Sequence, residues 1–239
     1  MPQQATKPIS YFLIFSIIGL FAALIGFGKT FFVPMAKGNL DIPASIHIHG
    51  AFAFGWVVLF VAQAFFIHSR NFRLHKKLGF LGLAFATGIL VTLVPAGLFA
   101  VNRNLAKGVG DGAYSEIVGV ITSGLLFFSL VIAGFVNRKK GSFHKRYLLL
   151  ATIVVLWPAW FRFRHYFPSV PRPDIWFALV LADSLIIIAW IYEKIRFGRI
   201  HPVLLYGGIL IIVEQTCEVL LFDTPTWRVV AKWVYNLTQ

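Results

Sequence analysis

The feature that most constrains this chain is an uncharged run on its N-terminal side. From Ile42 to Ser69 there are 28 consecutive residues without Asp, Glu, Lys or Arg. About 20 apolar residues in a helix cross the hydrocarbon core of a bilayer, because each residue adds about 1.5 Å. The run is therefore predicted to be a membrane-spanning helix, with His47 and His49 near one end and His68 at the other.

The composition extends this interpretation to the whole chain. Of its 239 residues, 58% are hydrophobic and 13% are charged, and the mean hydropathy is +0.78. A soluble domain of this size needs more charge on its surface, so the chain is predicted to be an integral membrane protein that contacts the lipid bilayer. The net charge of +13 does not indicate nucleic acid, because the basic residues form short clusters between apolar runs. The single cysteine, Cys217, excludes an internal disulfide and a site of cysteines alone.

Seven apolar runs predict an all-α fold, a seven-helix transmembrane bundle in one domain over residues 1–239. The predicted spans are 9–28, 44–68, 77–101, 115–137, 145–164, 174–192 and 201–222. After the last run, Thr224 and Pro225 have the pattern of a helix start, so a short amphipathic helix is predicted on the membrane surface. The last span contains no lysine, which argues against a retinal protein.

The distribution of charge predicts the orientation. Lys7 and the loops at 69–77, 138–146 and 193–200 carry 13 of the 22 Lys and Arg residues and a single acid, Glu193. Cytoplasmic loops are enriched in Lys and Arg. The chain is therefore predicted to lie in the bacterial inner membrane with its N-terminus in the cytoplasm and its C-terminus outside.

Two predicted spans are too short to cross the membrane without carrying charge into it. Only 15 uncharged residues separate Arg146 from Arg162, about 22 Å of helix, so the fifth span must take Arg162 below the outer surface. The last span must likewise include Glu214, and Asp183 of the sixth span falls at a similar depth. Such charges should face the interior and pair with each other, with water or with a ligand. The predicted outer-layer binding site comprises His47, His49, Glu116, Arg162, Arg164, His165, Asp183, Glu214 and Glu218; a purely stabilising network of ion pairs is the alternative.

Histidines also gather near the cytoplasmic helix ends. His68, His75, His144 and His201 lie beside basic turns, where a helix N-terminus and neighbouring cations favour the neutral ring. Neutral imidazoles bind haem iron and other transition metals. The predicted metal ligands are His49, His75, His144 and His201, for haem b or for iron, copper or zinc. The alternative is that these side chains anchor helix ends at the lipid headgroups.

Short motifs give the chain a resemblance to a family of uncharacterised bacterial multi-span membrane proteins. The motifs are His49, Trp56 and Gln63 in one span, His75-Lys-Lys-Leu-Gly79, and His144-Lys-Arg-Tyr147. That family is distantly similar to small membrane haem and oxidase-assembly proteins, so the resemblance implies that His49, His75 and His144 are the functional histidines. The chain departs from b-type cytochromes, which typically have two histidines about four turns apart on one helix.

Three functions remain open from the sequence. The first is a membrane redox protein that binds haem or a metal, with a polar His, Arg and carboxylate site in the outer leaflet. The second is a non-enzymatic subunit or assembly factor that binds other membrane subunits. The third is a small proton-coupled carrier. Hydrolysis of the Ser-His-Asp type is not indicated, because Ser184 directly follows Asp183 and the two side chains diverge on a helix.

Overall fold

The computed structural model describes residues 10–238, and every regular element in that range is helical. Seven helices are long and apolar enough to span a membrane, which confirms the predicted all-α fold. They are α1 (Tyr11–Ala36), α2 (Ala44–His68), α3 (Phe72–Ala106), α4 (Gly110–Val136), α5 (Gly141–His165), α6 (Asp174–Phe197) and α7 (Pro202–Leu221). A shorter helix, α8 (Pro225–Leu237), follows. Lys7, one of the cations on which the predicted orientation depends, lies outside the described residues. So does Ile9, the first residue of the predicted first span.

Several helices extend beyond the spans predicted for them, and local features accompany the extra residues. Helix α3 starts five residues before its predicted span because the Asn71 side chain accepts a hydrogen bond from Leu74 N at 3.1 Å and caps the first turn. Helix α1 continues past its predicted end through a π-helical segment, Gly28–Phe32. Helix α6 begins with a second π-helical segment, Asp174–Leu181.

Helix α5 forms the centre of the bundle. It has the largest share of buried residues of the seven spans, and it packs against α1, α4, α6 and α7. Leu149, Leu150, Ile153 and Leu156 are fully buried along it. Large apolar side chains on the outside of the bundle remain exposed, among them Phe21, Val91, Val136 and Ile195. This apolar exterior is the surface that contacts lipid.

The two ends of the bundle differ in charge. We call the end formed by the connections at 69–71, 137–140 and 198–201 the basic end, because lysine and arginine dominate it. The end formed by the connections at 37–43, 107–109 and 166–173 is the far end. Because the connections alternate between the two ends, α1 starts at the basic end and α7 finishes at the far end, where α8 follows.

Helix α8 packs across the start of α4 at the far end. Its Trp227 Nε1 donates a hydrogen bond to the Ser115 carbonyl at 2.9 Å. Lys232 forms an ion pair with Asp111 at 2.7 Å, and Ala231 is fully buried. The predicted short helix after the last span is thereby confirmed.

The Thr224→Ala substitution should weaken this helix selectively. Thr224 caps it, since its Oγ1 accepts from Trp227 N at 3.4 Å, and the loss of such a cap costs about 1 kcal/mol. Hydrogen exchange should therefore become faster over 225–237 and stay unchanged in α5. Thr238→Ala, at the other end of the same helix, is the matched control. Equal exchange rates in the two variants would contradict a capping role.

Candidate functional site

A large cavity lies at the basic end of the bundle. Its volume is about 1170 Å³, and helices α1 to α5 all contribute to its wall. The apolar part of the lining includes Trp56, Leu59, Phe60, Phe135 and Leu148. Pockets of roughly 300–1,000 Å³ bury most of a drug-sized ligand. This cavity therefore has room for a larger molecule with an apolar body.

The polar lining of the cavity is neutral or cationic. It contains three imidazoles and four basic side chains, and no Asp or Glu among residues 10–238 lines it. The residues are His68, His75, His144, Lys76, Arg138, Lys139 and Lys145. A concave apolar wall that is lined with cations raises the local concentration of anions. The cavity is thus suited to an amphipathic ligand with an anionic group.

The Gln63 side chain fixes the ring of His75. The Gln63 amide is assigned by its surroundings, since both of its ends find partners only when the oxygen accepts from Gly79 N at 3.2 Å and the nitrogen donates to the His75 carbonyl at 3.1 Å and to His75 Nδ1. A ring nitrogen that accepts a hydrogen bond carries no proton. The neutral His75 ring therefore has its proton on Nε2, which is a donor.

The ring of His144 has the opposite arrangement. His144 Nδ1 lies 2.8 Å from the Gly134 carbonyl oxygen. A carbonyl oxygen can only accept, so Nδ1 carries a proton, and in the neutral tautomer Nε2 is the nitrogen with the lone pair. Such a histidine, held by a backbone carbonyl through one nitrogen, has the second-sphere hydrogen bond typical of a metal ligand.

The two rings are neighbours in the same cavity. Their centroids are 6.3 Å apart and their planes are nearly perpendicular. The structure thus brings together two of the histidines that the sequence predicted as ligands, one as a donor and one as an acceptor. His49 does not join them, since it lies toward the other end of α2.

His201, the fourth predicted ligand, lies outside the lining of this cavity. Its Nδ1 accepts from Val203 N at 3.2 Å and caps α7, and its ring packs edge-on against Phe143 at 4.7 Å. Burial, followed by the positive charge of Arg146, lowers the pKa of His201 below its ordinary value. The neutral ring is accordingly used for helix capping.

A buried ion pair beside His201 was missed by the sequence reasoning, which treated both charges as parts of loops. Arg146 and Glu193 are 6% and 0% exposed, and Arg146 Nε donates to Glu193 Oε1 at 2.7 Å. Tyr11 Oη donates to the same oxygen at 2.8 Å, and His201 N donates to Oε2 at 2.9 Å. One carboxylate therefore connects α1, α5, α6 and the start of α7.

Three acids of the predicted outer layer come together between α4, α6 and α7. Asp183 and Glu218 both lie within electrostatic range of Glu214. Ser123 Oγ donates to Glu214 Oε1 at 3.2 Å. The Glu218 carboxylate occupies the space beside Gly119, where an added Cβ would overlap it. We call Asp183, Glu214 and Glu218 the acid cluster.

The two histidines that begin α2 have different surroundings. His49 Nδ1 shares a hydrogen bond with Thr92 Oγ1 at 2.9 Å. The ring of His47 lies 5.7 Å from that of Phe31. His49 therefore faces α3, whereas His47 packs toward the end of α1.

The arginines at the end of α5 lie against aromatic rings. Arg162 Nη1 donates to the Pro158 carbonyl at 2.8 Å, and its guanidinium carbon is 4.1 Å from the Phe27 ring centroid. The guanidinium of Arg164 is 3.7 Å from the Phe161 centroid. Stacking of this kind is favourable for arginine. Both guanidinium groups also lie within electrostatic range of Glu116, although neither forms a direct ion pair with it.

The remaining outer-layer residues have local partners. Glu116 Oε1 accepts from Asn104 Nδ2 at 2.8 Å. The backbone carbonyl of His165 accepts from Lys29 Nζ at 3.1 Å. Among the described residues the ion pairs are Arg146–Glu193, Arg172–Asp174, Arg228–Asp223 and Lys232–Asp111. The structure therefore separates the outer arginines from the acid cluster, with which the sequence reasoning had allowed them to pair.

In the part of the chain that the structure describes, no three His, Cys, Asp or Glu side chains are grouped so that they could hold a metal ion. Comparison with protein-family models, curated proteins and solved structures finds no match. The fold thus defines the class of the protein, a helical integral membrane protein with seven spans. Its two polar sites are the cavity at the basic end and the acid cluster toward the far end.

Proposed function

We propose that this is a redox protein of the bacterial inner membrane that binds haem b in the cavity at the basic end. The observation that carries the proposal is the combination, in one apolar cavity of about 1170 Å³, of a free imidazole nitrogen and a basic rim. Haem needs the same three features: an apolar wall, an axial ligand and cations for its two propionates.

In this proposal His144 would hold the haem iron through Nε2. Its Nδ1–H bond to the Gly134 carbonyl fixes the ring and increases the basicity of Nε2. His75 presents an Nε2–H donor, and becomes a second ligand only if the Gln63 amide turns over and accepts from Nδ1. When bound, haem would supply reversible one-electron transfer.

The rim cations orient the ligand. Lys76, Arg138, Lys139 and Lys145 line the cavity, and they lie next to the connections of the basic end. They would hold the propionates toward the water while the apolar wall excludes water from the ring. The enrichment in Lys and Arg supports a cytoplasmic basic end, with the N-terminus inside and the C-terminus outside.

The test is the absorption spectrum of the purified protein, produced with added haem and then titrated with haemin. Wild type should show a Soret band at a stoichiometry of one. His144→Ala should lose the band or weaken haemin binding at least tenfold. Gln63→Leu should shift the band, because His75 Nδ1 would lose its donor and His75 would be free to present Nε2 as a second ligand.

His47→Ala is the matched control, because His47 is also partly buried but lies toward the far end. It should bind haemin as wild type does. A folded wild type that takes up no haemin, or an unchanged band in His144→Ala, overturns the proposal. Co-purification with other membrane proteins at fixed stoichiometry would instead support the subunit or assembly factor predicted from the sequence. The resemblance to the multi-span family stays a prediction.

A further inference from the structure

The acid cluster is separate from the cavity and has a different chemistry. Asp183 is 5% exposed, and neither of its carboxyl oxygens has a hydrogen-bond partner among the described residues. Glu214 Oε2 also lacks one. An unpaired carboxylate in an apolar interior costs several kcal/mol, so burial of this kind favours a bound proton or cation.

The buried side chain of Gln215 is a second indication that something is bound near these acids. Gln215 is fully buried, and among the described residues neither its Oε1 nor its Nε2 has a partner. It is three residues before Glu218, so the two side chains share a face of α7. This buried amide offers a donor and an acceptor to a ligand on that face.

The acids of the cluster act on one another. Glu214 lies within electrostatic range of Asp183 and of Glu218, and the hydroxyl of Ser123 on α4 donates to Glu214. None of the ion pairs among residues 10–238 includes a member of the cluster. Since no cation in the described range pairs with them, three acids at one site are neutralised most simply by protons.

The three acids lie at increasing distances from the far end of the bundle. Glu218 is three residues from the end of α7, about 4.5 Å, and Glu214 is seven residues from it, about 10 Å. Asp183 is nine residues from the start of α6 at the same end, about 13 Å. The three carboxyl groups thus connect the far face with the interior.

We propose that Glu218, Glu214 and Asp183 form a proton-binding site that exchanges protons with water at the far face. Glu218 is the entry, Glu214 the middle position, held by Ser123, and Asp183 the inner end. Gly119 is part of the site because the absence of a Cβ lets the Glu218 carboxylate lie against α4.

Infrared spectroscopy of the purified full-length protein at neutral pH tests this inference, since protonated carboxyl groups absorb apart from carboxylates. Wild type should show the protonated band, and the band should shift in D₂O. Asp183→Asn, Glu214→Gln and Glu218→Gln should each remove part of it. Asp174→Asn is the control, because Asp174 is paired with Arg172 in a partly exposed position, and it should leave the band unchanged.

Three results would overturn the inference. They are a wild type without the protonated band, a band that persists in all three variants, and a band that does not shift in D₂O. A fourth result, loss of the band on addition of Ca²⁺ or Mn²⁺, would also overturn it, because the cluster would then be a site for a metal cation. If an amide variant does not fold, Gly119→Ala is measured in its place, and it should shift the part of the band due to Glu218. The outcome is independent of haem binding, because haem is measured by its visible absorption and the acid cluster by its infrared absorption.

Discussion

Replacing Glu193 with alanine should destabilise the bundle by about 3–5 kcal/mol, because the Arg146 guanidinium would be left buried without its partner. Arg146 is 6% exposed, and in the intact protein it donates to Glu193 and to the Ser142 carbonyl at 2.7 Å each. The Tyr11 hydroxyl would lose its acceptor as well. Unfolding of the detergent-solubilised protein by heat and by denaturant measures the loss.

A double variant separates the cost of the unpaired charge from the worth of the pair. Apolar replacement of a whole buried pair is often nearly neutral, so Arg146→Met with Glu193→Leu should recover most of the stability that Glu193→Ala loses. The matched single control is Asp174→Ala. It breaks the Arg172 pair, in which the side chains are 61% and 35% exposed, and should change stability little. Equal losses in Glu193→Ala and Asp174→Ala would contradict the structural role of the buried pair.

The Gly26→Ala substitution should have the second largest effect. A Cβ at Gly26 would overlap the backbone carbonyl of Ala159, so α1 and α5 would have to move apart. A side chain can rotate away from a clash, but a helix backbone cannot. Overpacking in a well-packed core costs typically 1–3 kcal/mol, and this contact with backbone should lie at the upper limit. The same unfolding measurements check it.

Gly79→Ala is the control for Gly26→Ala. Gly79 is also helical, but an added Cβ there meets nothing within 4 Å. Its replacement should be neutral or stabilising by about 0.4–1 kcal/mol, because alanine restricts the unfolded chain. If both variants unfold at the same denaturant concentration, the close approach of α1 to α5 contributes nothing to stability.

The sequence predicted the spans well because length and hydropathy decide them. Ala44–His68 has the predicted bounds, and Thr224 caps α8 as expected. The same counting predicted that the helices of the fifth and last spans include charged residues, because their uncharged runs are too short to cross a bilayer. Arg162 does continue α5, and Asp183 and Glu214 do lie near each other.

The direction of a side chain around its helix was harder to predict than the length of the helix. Arg162 continues α5 as expected, but its side chain contacts Phe27 and the Pro158 carbonyl and not the acid cluster. The Arg146–Glu193 pair was missed for a related reason, since both residues adjoin basic connections and look like loop charges. One signal could have identified it: Glu193 is the only acid counted among the 13 cations assigned to the basic end. A solitary acid in such surroundings has a partner close by.

The π-helical opening of α6, Asp174–Leu181, determines where the rest of that helix points. A π turn uses about one residue more than an α turn, and each residue in an α-helix adds about 100° of rotation. Loss of a single residue from this segment would convert a π turn into an α turn, so Asp183 would keep its direction around the helix. Loss of a residue from the α-helical part that follows, Ala182–Phe197, would instead rotate everything after it by about 100°. The π-helical opening is thus the part of α6 where a one-residue change in length leaves the inner acid facing the same neighbours.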